Sequence, residues 1–176
     1  MPIEPADLER LLGSQYLDGL SDSTTDEVRA KREELQRAEV AVSYVRRLLQ
    51  GRIDIVEAER RHRSSGAGES LVDELPSILA EGGRTAGPGR LPQHIDPGQE
   101  ATELAAEVDR VVDPARLADV ASLSEADLES MAGDLRRLER EVSERRRALH
   151  ERLDAIHAEL VRRYRSGEAT VDTLLR

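Results

Sequence analysis

The chain has no cysteine, no phenylalanine and no tryptophan. Without thiols it can form neither a disulfide nor a thiolate metal site. Aromatic residues make up only 2% of it, which excludes a thick globular core built from large side chains. No apolar run reaches the length of a membrane span, and no signal peptide opens the chain, so a cytoplasmic protein is expected. There is no glycine-rich phosphate loop after a strand, no HExxH and no nucleophile elbow, so an enzyme is not expected. Lysine is nearly missing as well. Lys31 stands alone among 26 basic residues, and the other 25 are arginine. A GC-rich genome would give that bias, but arginine also offers the planar fork that pairs with guanine or phosphate.

What is present is charge and helical periodicity. Over 176 residues, 35% are Asp, Glu, Lys or Arg, and the net charge is −10. A negative chain disfavours non-specific nucleic-acid binding, so neither DNA nor RNA is an expected partner. High charge with few aromatics suits long amphipathic helices that bury a narrow apolar seam.

The chain divides into five segments. Residues 1–20 hold a short amphipathic helix over 5–12, with Pro5 near its first turn and Gly13 as its stop. Residues 24–63 form a long helix in which Val28, Leu35, Val42, Leu49 and Val56 recur every seven residues, with Ala38, Val45 and Ile53 beside them. Residues 64–123 are a connector. Its first part, 64–98, contains seven Gly, four Pro and an apolar island at Leu71–Leu79, and a short helix is expected over 99–112, ended by Pro114. Residues 124–166 form the second long helix, with Leu128, Leu135, Val142, Leu149 and Ile156 as its sevenfold repeat. Residues 167–176 are a tail that includes the ambiguous Val171–Leu175 stretch. The excess acid sits in the connector, where residues 64–121 hold 11 acidic and 4 basic side chains.

The two long helices are copies of one another. Residues 35–63 and 135–163 align without gaps, and 13 of the 29 positions are identical. Their starts agree too, since Thr24-x-x-Glu27 and Ser124-x-x-Asp127 are both capping-box patterns. Within the repeat lies a polar stripe: Glu39, Ser43, Arg46, Gln50 and Asp54, then Glu139, Ser143, Arg146, His150 and Asp154. At ~100° per residue these offsets fall within a sector of roughly 80° on a helix. With the sevenfold residues as heptad position a, Glu39 and Arg46 are e, Ser43 and Gln50 are b, and Asp54 is f. The stripe therefore flanks the seam. A long connector permits parallel or antiparallel helices. One site made from both stripes requires the antiparallel arrangement, with a pseudo-two-fold axis. The expected fold is thus all-α: an antiparallel coiled-coil helical hairpin of two long helices, with one short helix at the N-terminus and one in the connector.

The residue types suit a guanine nucleotide. Arginine pairs with guanine O6 and N7. A carboxylate accepts from guanine N1–H and N2–H, and Ser and Gln suit phosphate or ribose oxygens. Two matched stripes fit a two-fold symmetric, dianionic ligand with two guanines, which describes cyclic di-GMP. The plainer alternative is a solvated helix face with ordinary charge pairs.

Glu-x3-Ser-x2-Arg-x3-Gln-x3-Asp, carried twice on a coiled-coil hairpin, resembles the motif of the actinobacterial RsiG anti-sigma family. The first copy matches at all five positions, and the second departs at His150, where the family has Gln. Histidine can still donate to an oxygen, and its protonation would make binding pH-sensitive. The resemblance implies a protein that binds a dimer of cyclic di-GMP and, when loaded, sequesters a WhiG-type sigma factor that directs sporulation-related transcription. It also implies that Arg46 and Arg146 read guanine, that Asp54 and Asp154 accept from guanine edges, and that Glu39, Ser43, Gln50 and their counterparts complete the hydrogen bonds. For the sigma contact, Leu8, Leu11, Leu12, Tyr16 and Leu17 are candidates, as are the helix faces opposite the stripe. The same leucine segment would serve equally as a cap on the coiled coil.

His150, Asp154 and His157 have metal-ligand spacing, but their counterparts are Gln50, Asp54 and Glu57, so no metal is expected. Tyr44 could pack on a ligand ring or on the sigma factor, although its counterpart is Glu144. Two classes of function follow: a nucleotide-gated anti-sigma factor, or a ligand-independent coiled-coil adaptor.

Overall fold

The computed structural model describes residues 5–65 and 101–167. The Leu71–Leu79 island and the Val171–Leu175 stretch lie outside them. The described elements are all helical: α1 (Pro5–Leu12), α2 (Thr25–Ser65), α3 (Thr102–Val111), α4 (Pro114–Ala118), a single 3-10 turn (Val120–Ser122) and α5 (Glu125–Ser166). The described part of the connector carries two elements beyond the expected short helix, α4 and the 3-10 turn. Pro114 does end the helix before it, but it also starts α4, because the Asp113 side chain accepts from the Ala115 backbone N–H and proline fits the first helical turn.

Helices α2 and α5 run antiparallel. Arg29 at the start of α2 meets Tyr164 at the end of α5, and Arg60 at the end of α2 meets Glu125 at the start of α5. Both helix starts are capped as their sequences require. Thr24 and Glu27 exchange backbone and side-chain bonds, and the Asp127 backbone N–H donates to the Ser124 hydroxyl. Helix α5 stops at Gly167, whose φ of 80° is left-handed and favours glycine. The seam between the helices holds the sevenfold residues. Val28, Leu35, Leu49, Val56, Leu128, Leu135, Leu149 and Ile156 are fully buried. Each such side chain contributes roughly 1.5–3 kcal/mol by leaving water.

The duplication is wider than the two long helices. Leu8, Leu12, Leu17 and Leu20 lie in the same 100-residue register as Val108, Val112, Leu117 and Val120, and all eight belong to or pack on one apolar core. Arginines fasten these segments in matched pairs. Arg52 donates to the Val112 carbonyl at the end of α3 and pairs with Asp109. Its counterpart Arg152 donates to the Leu12 and Gly13 carbonyls at the end of α1. Arg63 donates to the carbonyls of Leu123 (2.7 Å) and Ala121 (2.9 Å), and Arg163 donates to that of Leu20 (2.8 Å). Glu59 and Glu159 steady these last two arginines from one turn away.

Leu8 and Leu11 are 2% and 1% exposed, so this structure seats the N-terminal segment as a cap on the hairpin. Tyr16 donates to Glu34, Lys31 donates to the Tyr16 carbonyl, and Arg10 pairs with Glu34. Burial, followed by the Glu34 hydrogen bond, pushes the Tyr16 hydroxyl well above its usual range. Leu8, Leu104 and Val108 meet Val42, Val45, Leu138 and Val142 around one small apolar gap. Helices α1 and α3 therefore cover the a/d/g side of the hairpin and leave the e/b side, where the stripe runs, uncovered by them.

Gly51 and Gly133 sit inside long helices, and a methyl group at either would meet open space. Gly51→Ala and Gly133→Ala are each expected to stabilise the hairpin by roughly 0.5–1 kcal/mol, read as a shifted urea midpoint at constant slope. A second expectation concerns acid. Hydrogen bonds from Arg162, then Arg163, hold Glu159 down at about 2, against an ordinary 4.5. A depressed carboxylate stabilises the fold above its unfolded pKa and loses that contribution as pH falls toward its folded one. Glu159→Gln should therefore narrow the stability gap between pH 5 and pH 2, measured by thermal melts across that window.

Candidate functional site

The two stripes face each other on the side of the hairpin that α1 and α3 leave open. Glu39 and Ser43 lie one turn apart on α2, and the Ser43 hydroxyl donates to Glu39 Oε1 at 2.6 Å. Ser143 does the same to Glu139 Oε1 at 2.9 Å. Each arginine crosses to the other copy. Arg46 Nε donates to Ser143 Oγ at 2.8 Å and to Glu139 Oε1 at 3.1 Å. Arg146 Nε donates to Ser43 Oγ at 2.8 Å and to Glu39 Oε1 at 3.1 Å. The fourth position follows the same rule. Gln50 Nε2 donates to Glu139 Oε1 at 3.5 Å, and His150 Nε2 lies 3.2 Å from Glu39 Oε1. One pseudo-two-fold axis, passing between Tyr44 and Val45 and between Glu144 and Arg145, exchanges every one of these contacts.

Eight of the ten stripe residues thus form two equivalent clusters, each built from both helices. The exceptions are Asp54 and Asp154. Both are exposed, at heptad position f, and neither bonds to the rest of the network. The clusters are half-buried: Glu39 and Glu139 are about one-fifth exposed and Arg46 and Arg146 about one-third. Oε1 of Glu139 accepts from a guanidinium, a hydroxyl and the Gln50 amide, and Oε1 of Glu39 accepts from a guanidinium and a hydroxyl with the His150 imidazole beside it. The acceptors are satisfied on one edge, while the rest of each guanidinium remains available to a ligand above the face. His150 occupies the place of Gln50 in this geometry, with its Nε2 3.2 Å from the corresponding carboxylate oxygen, so the departure in the second copy keeps the same pair of residues together.

Tyr44 lies at heptad position c, away from the stripe, and packs against the apolar core. The arginine clamps at 52, 152, 63 and 163 carry no role in the sequence reading, although their signal was present. They are identical between copies and fall on d and a positions, where charge needs a buried partner. The segments they hold supply backbone carbonyls, which periodicity alone does not reveal.

Arg46 and Arg146 share no partner, so their contributions to folding should add. Arg46→Ala and Arg146→Ala are each expected to cost roughly 1 kcal/mol, a value tempered by partial exposure, and the double variant about the sum. Urea unfolding of the three variants measures this.

No helix among the described residues is long and apolar enough to cross a membrane. No curated protein matches the chain. The RsiG-like family model matches residues 14–79 and 114–176, which takes in both long helices, both stripes and most of the chain. The chain belongs to the RsiG-like family, the family of RsiG-type anti-sigma factors.

Proposed function

We propose that this protein is a cyclic di-GMP-gated anti-sigma factor that holds a WhiG-type sigma factor when loaded with nucleotide. The observation that carries the reading is the cross-helix exchange, in which each guanidinium is positioned by the Glu and Ser of the other copy. Both stripes therefore belong to one two-fold face, and neither copy builds its half-site alone. That symmetry suits a ligand with two equivalent guanines. In the free protein Arg46 and Arg146 are engaged through Nε. On binding, their remaining donors would take guanine O6 and N7. Asp54 and Asp154, outside the network and exposed, would accept from guanine N1–H and N2–H. Ser43, Ser143, Gln50 and His150 would complete the bonds to ribose and phosphate oxygens, and a dimer of the nucleotide would place one guanine pair over each cluster. Ligand would then favour the hairpin geometry that fits sigma, a shift of population by differential affinity.

One observation favours the second reading, a ligand-independent coiled-coil adaptor. The stripe is already hydrogen-bonded within the chain, so the hairpin needs no nucleotide to form. Calorimetric titration with cyclic di-GMP, with and without a WhiG-type sigma factor, separates the two. Saturable binding is expected, reduced at least about tenfold in both Arg46→Ala and Arg146→Ala, as for loss of a charge-assisted contact of roughly 1.5–3 kcal/mol. No heat of binding in either setting, with the hairpin folded, would leave the adaptor. Loss in Arg46→Ala alone would mean that the copy containing His150 does not bind.

A further inference from the structure

The stripe face is symmetric at its centre and asymmetric at its ends. Beyond Gln50 and Asp54, the same side of α2 continues with Glu57, Arg60, Arg61 and Ser64. With Glu125 and Arg136 of α5 these side chains line an open cleft of about 320 Å3. The corresponding positions at the other end are His157, Leu160, Val161 and Tyr164, facing Thr25 and Gln36. At these six positions one end carries three guanidinium groups and the other none, although Arg29 reaches Tyr164 at that second end.

The cations in the cleft outnumber its anions. Arg60 Nε is 3.0 Å from Glu125 Oε1. Glu57 serves two arginines, at 2.6 Å from Arg136 and 3.9 Å from Arg61. The side chains of Arg61 and Arg136 are 60% and 47% exposed, so most of their N–H donors face solvent. At the opposite end Leu160 is buried and Tyr164, 37% exposed, accepts from Arg29.

A protein partner has no two-fold symmetry of its own. On a face whose central contacts are exchanged by a pseudo-two-fold axis, it could lie in either of two directions unless the ends differ. We propose that the Arg60–Arg61–Arg136 cleft receives an acidic segment of the sigma factor and so fixes the single direction in which that partner lies along the stripe face. Three guanidiniums against two carboxylates leave one positive charge and several open forks, which an Asp- or Glu-bearing helix or loop complements. At the Val161/Tyr164 end the Arg29 guanidinium is already paired with Asp26 and bonded to Tyr164, and its side chain is only 15% exposed, so it presents little free cation to such a segment. This inference rests on the anti-sigma reading, and it does not depend on nucleotide gating.

The test compares binding of a purified WhiG-type sigma factor to the wild-type chain, to an Arg61→Gln/Arg136→Gln double variant, and to Arg29→Gln at the opposite end. Calorimetry is run at two salt concentrations, with and without saturating cyclic di-GMP, and each chain's melt is checked by circular dichroism. The double variant should bind sigma about tenfold more weakly with a flatter salt dependence, while Arg29→Gln stays within about twofold of wild type. The comparison uses whichever nucleotide condition supports wild-type binding. Nucleotide-independent sigma binding would therefore sink the gating and leave this test intact. Unchanged affinity and salt slope in the double variant would overturn the inference. So would a loss of bound nucleotide per complex, which would assign these guanidiniums to the ligand's phosphates. A wild-type chain that binds no such sigma factor in either condition would remove both readings together.

Discussion

The site exists because two copies of one apolar ladder can bury themselves only against each other. Leu35, Leu49, Leu135 and Leu149 are fully buried in the seam between the two long helices, within the one core that the described residues form. Heptad packing fixes how far one helix can slide past the other, because a shift of one residue would pull every ladder position out of its hole. That register places Arg46 opposite Ser143 and Arg146 opposite Ser43. The polar network is a consequence of the seam, since half-buried ion pairs are too weak to set the alignment of 40-residue helices by themselves.

A chain almost without aromatics needs another way to attach its short helices. Here arginine does that work. Arg52 and Arg152 reach the free carbonyls at the ends of α3 and α1, and Arg63 and Arg163 reach those before α5 and α2. Helix ends and turns leave carbonyls without intrahelical partners, and a guanidinium can bond two at once while its stem covers apolar surface. The side facing α1 and α3 becomes closed, and the stripe side is left uncovered by them. Function and attachment are thus separated onto opposite sides of one hairpin.

Duplication also explains where the protein is symmetric and where it is not. The core ladder, the caps, the clamps and the central stripe are kept in both copies. The divergence on the stripe side gathers at the outer turns, where Glu57, Arg60, Arg61 and Ser64 stand against His157, Leu160, Val161 and Tyr164. A symmetric small ligand can use what is shared, and an asymmetric partner can use what is not.

Sequence by itself determined the helices and their pairing surface, because heptad spacing, capping boxes and glycine stops are local patterns with local causes. It also determined that two polar stripes exist in equal register, since a 100-residue repeat needs no coordinates to be seen. The tertiary structure decided the rest. It showed that each Arg is held by the other copy's Glu and Ser, that Asp54 and Asp154 stand apart from that network, and that Leu8 and Leu11 are used inside the core. It also added α4, which begins where the sequence suggests only a stop. These features depend on which residues meet across 100 positions of chain and on where unpaired carbonyls lie, and neither periodicity nor composition encodes that meeting.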